Sequence, residues 1–97
     1  MQNYLVEAYV PKGGERACSE AADRARRVSE ELSGSGTSVR YLHSLFVAED
    51  ETCFHVFEGE SLDAVAEVSR KAKLTQARIV PVTLDTQGNP RERGRAR

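Results

Sequence analysis

The sequence of 97 residues has no tryptophan, only 6% aromatic residues and only two cysteines. It therefore lacks the usual sequence signals of several protein classes. Two cysteines are too few for a disulfide-rich scaffold, and the spacing of His and Cys matches no structural zinc site. No apolar run approaches the roughly 18 residues of a membrane span. The formal charge of −1 argues against a nucleic-acid surface.

The first residues, Met1 to Asn3, lead directly into a strand pattern, without the basic and apolar segments of a signal peptide. We therefore expect a cytoplasmic protein in which Cys18 and Cys53 are reduced thiols. The length allows one small domain, which leaves much of its surface exposed when it is alone. A homodimer is expected, because pairing with a second copy would cover more apolar area.

Strand-like and helix-like patterns follow one another along the chain in the order strand, helix, strand, strand, helix, strand. Alternation with a period of two predicts strands over residues 4–10, 39–47, 52–58 and 78–84. Apolar residues at helical spacing predict a first helix over residues 15–33, with a stripe made mostly of alanine. Ser61 is placed to cap a second helix, whose core stripe comprises Leu62, Val65, Val68 and Ala72.

This order predicts an α+β fold of the ferredoxin-like βαββαβ type over residues 1–84. Right-handed crossovers place the first and third strands in the centre of a four-stranded antiparallel sheet, with both helices on one face. Pro81 cannot donate a ladder hydrogen bond, so the last strand should lie at an edge. Residues 85–97 are rich in Gly, Pro and Arg and are predicted to be a disordered tail.

Strand alternation also divides the residues of the sheet between its two faces. The residues predicted to face the helices are Val6, Ala8, Phe54, Val56, Val80 and Val82. The residues predicted on the opposite, open face are Leu5, Glu7, Tyr9, Cys53, His55, Phe57, Ile79 and Thr83. The register of the second strand leaves open whether His43 or Ser44 joins the open face.

The open face would then carry a Cys-x-His pair together with a carboxylate. Cys53, His55 and Glu7 could bind a divalent transition metal, because thiolate and imidazole are ligands for nickel, copper, zinc and cobalt. A purely structural role is equally open, with Cys53 a small buried hydrophobe and His55 a hydrogen-bonded residue at a dimer contact. No organic cofactor is expected.

An enzyme is the alternative function. Paired ferredoxin-like domains can enclose a cavity in which polar groups converge. Glu7, Tyr9, His43 and His55 would then be the catalytic candidates, since a histidine beside a carboxylate can transfer protons near neutral pH. Isomerisation, cyclisation or epoxide opening of a small organic substrate would need no cofactor.

Three segments carry a resemblance to a known family: NYLVEAYVP, YLHSLFVAEDETCFHVFEGES and ARIVPVTL. Together they resemble a family of small bacterial domains of unknown function with a ferredoxin-like fold, in which a nickel-binding homodimer is the described example. The resemblance covers roughly residues 3–84 and implies a homodimer and nickel binding. At the position of His55 the family often has a cysteine, so the implied ligands are not transferred to numbered residues.

Overall fold

The computed structural model describes residues 1–11, 14–74 and 78–85. Its elements are β1 (Gln2–Tyr9), α1 (Gly14–Gly34), β2 (Val39–Val47), a short 3-10 helix (Ala48–Asp50), β3 (Thr52–Gly59), α2 (Leu62–Lys71) and β4 (Arg78–Val82). This order confirms the predicted α+β class, and the arrangement is consistent with a ferredoxin-like fold. Of the predicted tail, only Asp85 belongs to the described residues. Neither described helix is long and apolar enough to cross a membrane.

The strands form one sheet in the order β2-β3-β1-β4, and each neighbouring pair is antiparallel. The predicted centre and edges of the sheet are therefore confirmed. Pro81 lies in the edge strand β4, where its missing N–H does not interrupt a ladder between two neighbours.

The hydrophobic core lies between the two helices and one face of the sheet. Ala21 and Ala25 of α1 belong to the same buried cluster as Val65 and Val68 of α2 and Phe57 of β3. Both helices therefore cover the same face, as predicted. The small side chains of α1 allow this helix to pack closely on the sheet.

Helix α2 begins as its sequence predicts. The Ser61 Oγ accepts a hydrogen bond from the backbone N–H of Ala64 at 3.1 Å, which satisfies one donor of the first turn. Leu62, however, is 48% exposed, so its predicted place in the core is wrong. As the first helical residue, it lies outside the buried stripe that Val65 and Val68 form.

The register of β3 against β1 corrects the predicted faces of the sheet. Val6 lies opposite His55 and Ala8 lies opposite Cys53. Directly opposed residues point to the same side, so Cys53, His55 and Phe57 face the helices with Val6 and Ala8. Alternation separates the residues of β3 into two sets, but both sets are apolar enough to be buried, and only the pairing shows which set is inside.

The prediction is consequently wrong for eight residues. Cys53, His55, Phe57 and Ile79 face the helices, whereas Phe54, Val56, Val80 and Val82 lie on the face without helices. We call this second surface the open face; it also carries Leu5, Glu7, Tyr9, Arg40, His43, Leu45, Glu58 and Arg78. Thr83 follows the end of β4.

A register shift in β2 settles the position of His43. The pairing with β3 changes between Tyr41 and His43, so that Leu42 is an extra residue without a partner. Beyond this bulge Ser44 lies opposite His55, whereas His43 lies opposite Val56. The two histidines therefore occupy opposite faces of the sheet.

The end of β3 approaches α2 closely enough to require glycine, which can be tested by substitution. A Cβ at Gly59 would lie 2.9 Å from the Cγ2 of the fully buried Val65. We expect Gly59→Ala to lower the free energy of unfolding by about 1–3 kcal/mol, as overpacking usually does.

Gly34→Ala is the matched control, because a Cβ at Gly34 would have no atom within 4 Å apart from its chain neighbours and the nearby backbone of its own helix. This change should leave stability unaltered or raise it by about 0.5–1 kcal/mol, through the lower entropy of the unfolded chain. Urea denaturation of the three proteins measures both effects. Equal stability of the Gly59 variant and the native protein would refute the close approach.

Candidate functional site

The two cysteines of the sequence form a disulfide that joins α1 to β3. Cys18 and Cys53 are 35 residues apart in sequence, and their Cα atoms are 5.7 Å apart. Cys18 is 4% exposed and Cys53 is fully buried. The expectation of two separate reduced thiols is therefore wrong for this state of the protein. The α1 stripe and the inward face of β3 bring the two sulfurs together.

His55 lies beside this disulfide and is fully buried. Its Nε2 is 3.3 Å from the Cys53 Sγ, and its Nδ1 is 2.6 Å from the Ser44 Oγ. The Ser44 Oγ is in turn 2.7 Å from the Tyr41 hydroxyl. A continuous polar chain thus runs from Tyr41 through Ser44 and His55 to the disulfide. We call it the Tyr41–Cys53 chain.

The bulge at Leu42 makes this chain possible. Residues three apart on a regular strand point to opposite faces. Because Leu42 is an extra residue, Tyr41 and Ser44 both lie opposite inward-facing residues of β3, namely Phe57 and His55. The partly buried Tyr41 ring also packs edge-to-face on Phe57, with 5.7 Å between the ring centroids, which holds the ring against the core.

The hydrogen bonds of the chain have one consistent direction in the disulfide form. A disulfide sulfur has no hydrogen, so the Nε2–H of His55 donates to the Cys53 Sγ. A neutral imidazole then accepts at Nδ1, where the Ser44 hydroxyl donates. Since the Ser44 hydrogen is already engaged, the Tyr41 hydroxyl donates to the Ser44 Oγ.

Burial controls the protonation of the imidazole. Loss of hydration lowers the pKa of His55 from 6.5 to about 4, and the positive charge of Arg24 acts in the same direction. His55 is therefore neutral at physiological pH. A neutral imidazole can either donate from one nitrogen or bind a metal ion with it.

Two openings lead from the surface to this region. One, of about 310 Å³, lies between α1 and β2 and is lined by Glu15, Cys18, Ser19, Ala22, Tyr41, Ser44 and Phe46. The other, of about 270 Å³, reaches His55 from the opposite side, and its lining includes Tyr9, Glu20, Arg24, Lys73 and Leu74. Both ring nitrogens of His55 already have protein partners. Neither nitrogen is therefore free to bind a molecule in the second opening.

The structure separates the other predicted site residues from His55. Glu7 is on the open face, where its Oε1 lies 2.9 Å from the Nη1 of Arg78. Tyr9 donates a hydrogen bond to Glu51 at 3.2 Å, and this bond together with the carboxylate charge raises the pKa of the Tyr9 hydroxyl. The exposed His43 is also on the open face. The proposed catalytic set of Glu7, Tyr9, His43 and His55 is thus not assembled around one point.

The predicted metal ligands are only partly brought together. Cys53 and His55 are neighbours, but Glu7 points to the other side of the sheet. In the disulfide form, no group of three or more His, Cys, Asp or Glu side chains in the described ranges is arranged to hold a metal ion. The residue that does join Cys53 and His55 is Cys18, which lies on the buried stripe of α1.

The sequence analysis did not include Cys18, Ser44 or Tyr41 among the site residues, although it left open that Ser44 shares a face with His55. The signal for Cys18 was present, since this residue begins the apolar stripe of α1 and must face the sheet. It would have been recognised had β3 been placed with Cys53 inward. Ser44 and Tyr41 depend on the bulge, for which residues 39–47 contain no Gly or other marker.

The buried neutral state of His55 predicts a pH-dependent stability. In the unfolded chain His55 takes up a proton near its ordinary pKa of 6.5, whereas in the folded protein it does so only near 4. The unfolded state therefore binds more protons between these values, and the free energy of unfolding falls as the pH is lowered through this window. The loss attributable to His55 amounts to about 3 kcal/mol.

Urea denaturation between pH 7 and pH 4 measures this loss against two variants. His55→Gln should remove that part of the pH dependence, although it lowers stability at neutral pH. His43→Gln removes the exposed histidine and should keep the native dependence. Parallel curves for the native protein and His55→Gln would contradict the assignment.

Comparison with known proteins found no match to this chain among family models, curated proteins or solved structures.

Proposed function

We propose that the protein binds a divalent transition metal through Cys18, Cys53 and His55 when the two cysteines are reduced. The observation that supports this proposal is the convergence of two sulfurs and one imidazole nitrogen at one buried point. The sulfurs are bonded to each other in the disulfide, and the His55 Nε2 lies 3.3 Å from one of them. Reduction would release two thiols beside a neutral histidine.

The chemistry of this donor set suits a borderline or soft metal ion. Thiolate and imidazole bind nickel, zinc, cobalt and copper, whereas magnesium and calcium prefer oxygen ligands. Nickel is the ion implied by the resemblance to the small bacterial ferredoxin-like family. Cys18 takes the place of Glu7 in the ligand set that the sequence predicts, because Glu7 is on the opposite face.

The Tyr41–Cys53 chain would orient the histidine ligand. To ligate a metal ion, the His55 Nε2 would have to carry no hydrogen, so the imidazole hydrogen would be on Nδ1, which would donate to the Ser44 Oγ. The Ser44 hydroxyl can then donate to Tyr41, which reverses the direction of the chain without moving a heavy atom. Hydrogen-bond partners of this kind fix the ring and increase the basicity of the ligating nitrogen.

A reducing cytoplasm is the compartment that this proposal requires. Glutathione and thioredoxin keep thiols reduced there, so the dithiol form would be the usual state. The fold does not depend on the disulfide alone, since the main core cluster contains neither cysteine. Closing the 35-residue separation contributes about 4 kcal/mol in the chain-entropy account.

Acid–base catalysis on a small organic molecule has weaker support. It would need Glu7 or His43 near His55, and the structure places both on the other face of the sheet. The opening of about 270 Å³ beside His55 does include Tyr9, but Tyr9 is hydrogen-bonded to Glu51.

Nickel titration of the reduced protein tests the metal site. We expect saturable binding by isothermal titration calorimetry after reduction with a phosphine and removal of the reductant. Cys18→Ser, Cys53→Ser and His55→Ala should each abolish or severely weaken it. Ser44→Ala removes only a hydrogen-bond partner of a ligand and should weaken binding by roughly 10- to 100-fold.

Glu7→Gln is the matched control, because it removes a carboxylate from the open face and should leave nickel affinity unchanged. The disulfide form should not bind nickel at this site. Circular dichroism of each variant shows whether it retains the fold. If reduced native protein fails to bind, or if Glu7→Gln abolishes binding while Cys18→Ser does not, the proposed site is wrong.

We also propose that the protein forms a homodimer through the open face. This surface is half apolar, and Leu45 and Tyr9 on it are 54% and 49% exposed. The same surface carries two ion pairs, Arg40 with Glu58 and Glu7 with Arg78. A twofold axis would pair the open face of one copy with the open face of the other. This is the closed symmetry of most dimers.

Charge introduced into the open face should separate the dimer. Burying a leucine contributes about 1.5–3 kcal/mol, so Leu45→Glu should raise the dimer dissociation constant at least roughly 10-fold, as read by sedimentation equilibrium. Leu62→Glu is the control, because Leu62 is similarly exposed but lies on α2. Dissociation by Leu62→Glu and not by Leu45→Glu would place the interface on the helices instead.

A further inference from the structure

We propose that the Cys18–Cys53 disulfide opens and closes by exchange with low-molecular-weight thiols and disulfides, with Cys18 as the sulfur that reacts with them. The exchange would regulate the metal site, and this regulatory role rests on the proposed function. The exchange reaction itself rests only on the surroundings of the two sulfurs. Those surroundings differ in access and in hydrogen bonding.

Access favours Cys18. It lines the opening of about 310 Å³ between α1 and β2, together with the small residues Ser19 and Ala22. Cys53 is fully buried on the central strand β3 and is not part of that lining. This opening therefore gives a thiol from solvent a route to Cys18 and not to Cys53.

Hydrogen bonding favours Cys53 as the leaving group. The Nε2–H of His55 points at the Cys53 Sγ and would stabilise a thiolate there. The Cys18 Sγ has a carbonyl oxygen, that of Leu45, at 3.9 Å, which offers no hydrogen to a thiolate. Exchange is faster when the better-stabilised thiolate leaves, so both observations direct attack to Cys18.

The reaction balances in both directions. An external thiolate attacks the Cys18 Sγ, the Cys18–Cys53 bond breaks, and the electron pair leaves on the Cys53 sulfur. A second external thiolate attacks the small-molecule sulfur of the mixed disulfide, which releases the Cys18 thiolate and a small-molecule disulfide. In reverse, the Cys18 thiolate attacks a small-molecule disulfide and releases one small thiolate. The Cys53 thiolate then attacks the Cys18 sulfur of the mixed disulfide and releases the second.

Metal binding and disulfide formation would exclude each other, because both use the same two sulfurs. A bound metal should therefore slow oxidation by a small-molecule disulfide, and oxidation should release the metal. This couples occupancy of the site to the thiol–disulfide balance of its surroundings. The disulfide state does not require the helix and strand to move, since the Cα–Cα distance of 5.7 Å suits a disulfide.

The first test compares the two single-cysteine variants in their reaction with glutathione disulfide, followed by intact-protein mass spectrometry. Cys53→Ser retains Cys18 and should be glutathionylated at least roughly 10-fold faster than Cys18→Ser, which retains the buried Cys53. In native oxidised protein treated with glutathione and quenched with acid, the mixed disulfide should map to Cys18. Equal rates, faster reaction of Cys53, or a mixed disulfide on Cys53 would overturn the proposal.

The second test concerns the leaving group. His55→Leu removes the donor to Cys53 and should slow reduction of the native disulfide by glutathione about 10-fold. His43→Leu removes the histidine of the open face and should leave the rate unchanged. An unchanged rate in a folded His55→Leu protein would refute the role of the hydrogen bond.

Nickel binding measured on phosphine-reduced protein separates this inference from the proposed function. Binding without exchange at Cys18 would overturn the exchange and leave the metal site standing. Exchange at Cys18 without nickel binding would overturn the metal site, and with it the regulatory role. Binding that protects the thiols, followed by release of nickel on addition of glutathione disulfide, is the result expected if both are correct.

Discussion

The pairing of Val6 with His55 across the two central strands is the contact on which the rest of the site depends. It turns the imidazole towards the helices, where the side chain has no exposed surface, and so requires protein partners for both ring nitrogens. Ser44 and the Cys53 sulfur supply those partners. The same pairing turns Cys53 inward, where the alanine-rich stripe of α1 comes close enough for Cys18 to reach it.

Most of the architecture could be predicted from the sequence, because periodicity and capping are local signals. The order of elements, the central and edge strands and the Ser61 cap all follow from residues close together in the chain. The faces of β3 could not be predicted in the same way. Phe54 and Val56 are as apolar as Cys53 and Phe57, so the choice depends on contacts with β1, fifty residues away in sequence.

For the same reason, only part of the candidate site could be predicted from the sequence. Cys53 and His55 are two apart on one strand, so their neighbourhood follows from strand geometry alone. Cys18 belongs to another element, and its contact with Cys53 requires the correct face of β3. A buried histidine also contradicts the simple expectation that polar residues of a sheet face solvent; here burial is offset by a complete set of hydrogen-bond partners.

The bulge at Leu42 has a consequence for how copies of this chain can associate. An edge strand offers unpaired backbone groups to any other strand, and proteins commonly protect such edges with bulges or proline. Here the edge strand β2 carries the bulge and the edge strand β4 carries Pro81. Both edges of the sheet are thereby poor templates for strand addition. The residue that turns Tyr41 towards the helix-covered side of the sheet therefore also disfavours the growth of continuous edge-to-edge sheets from copies of this chain.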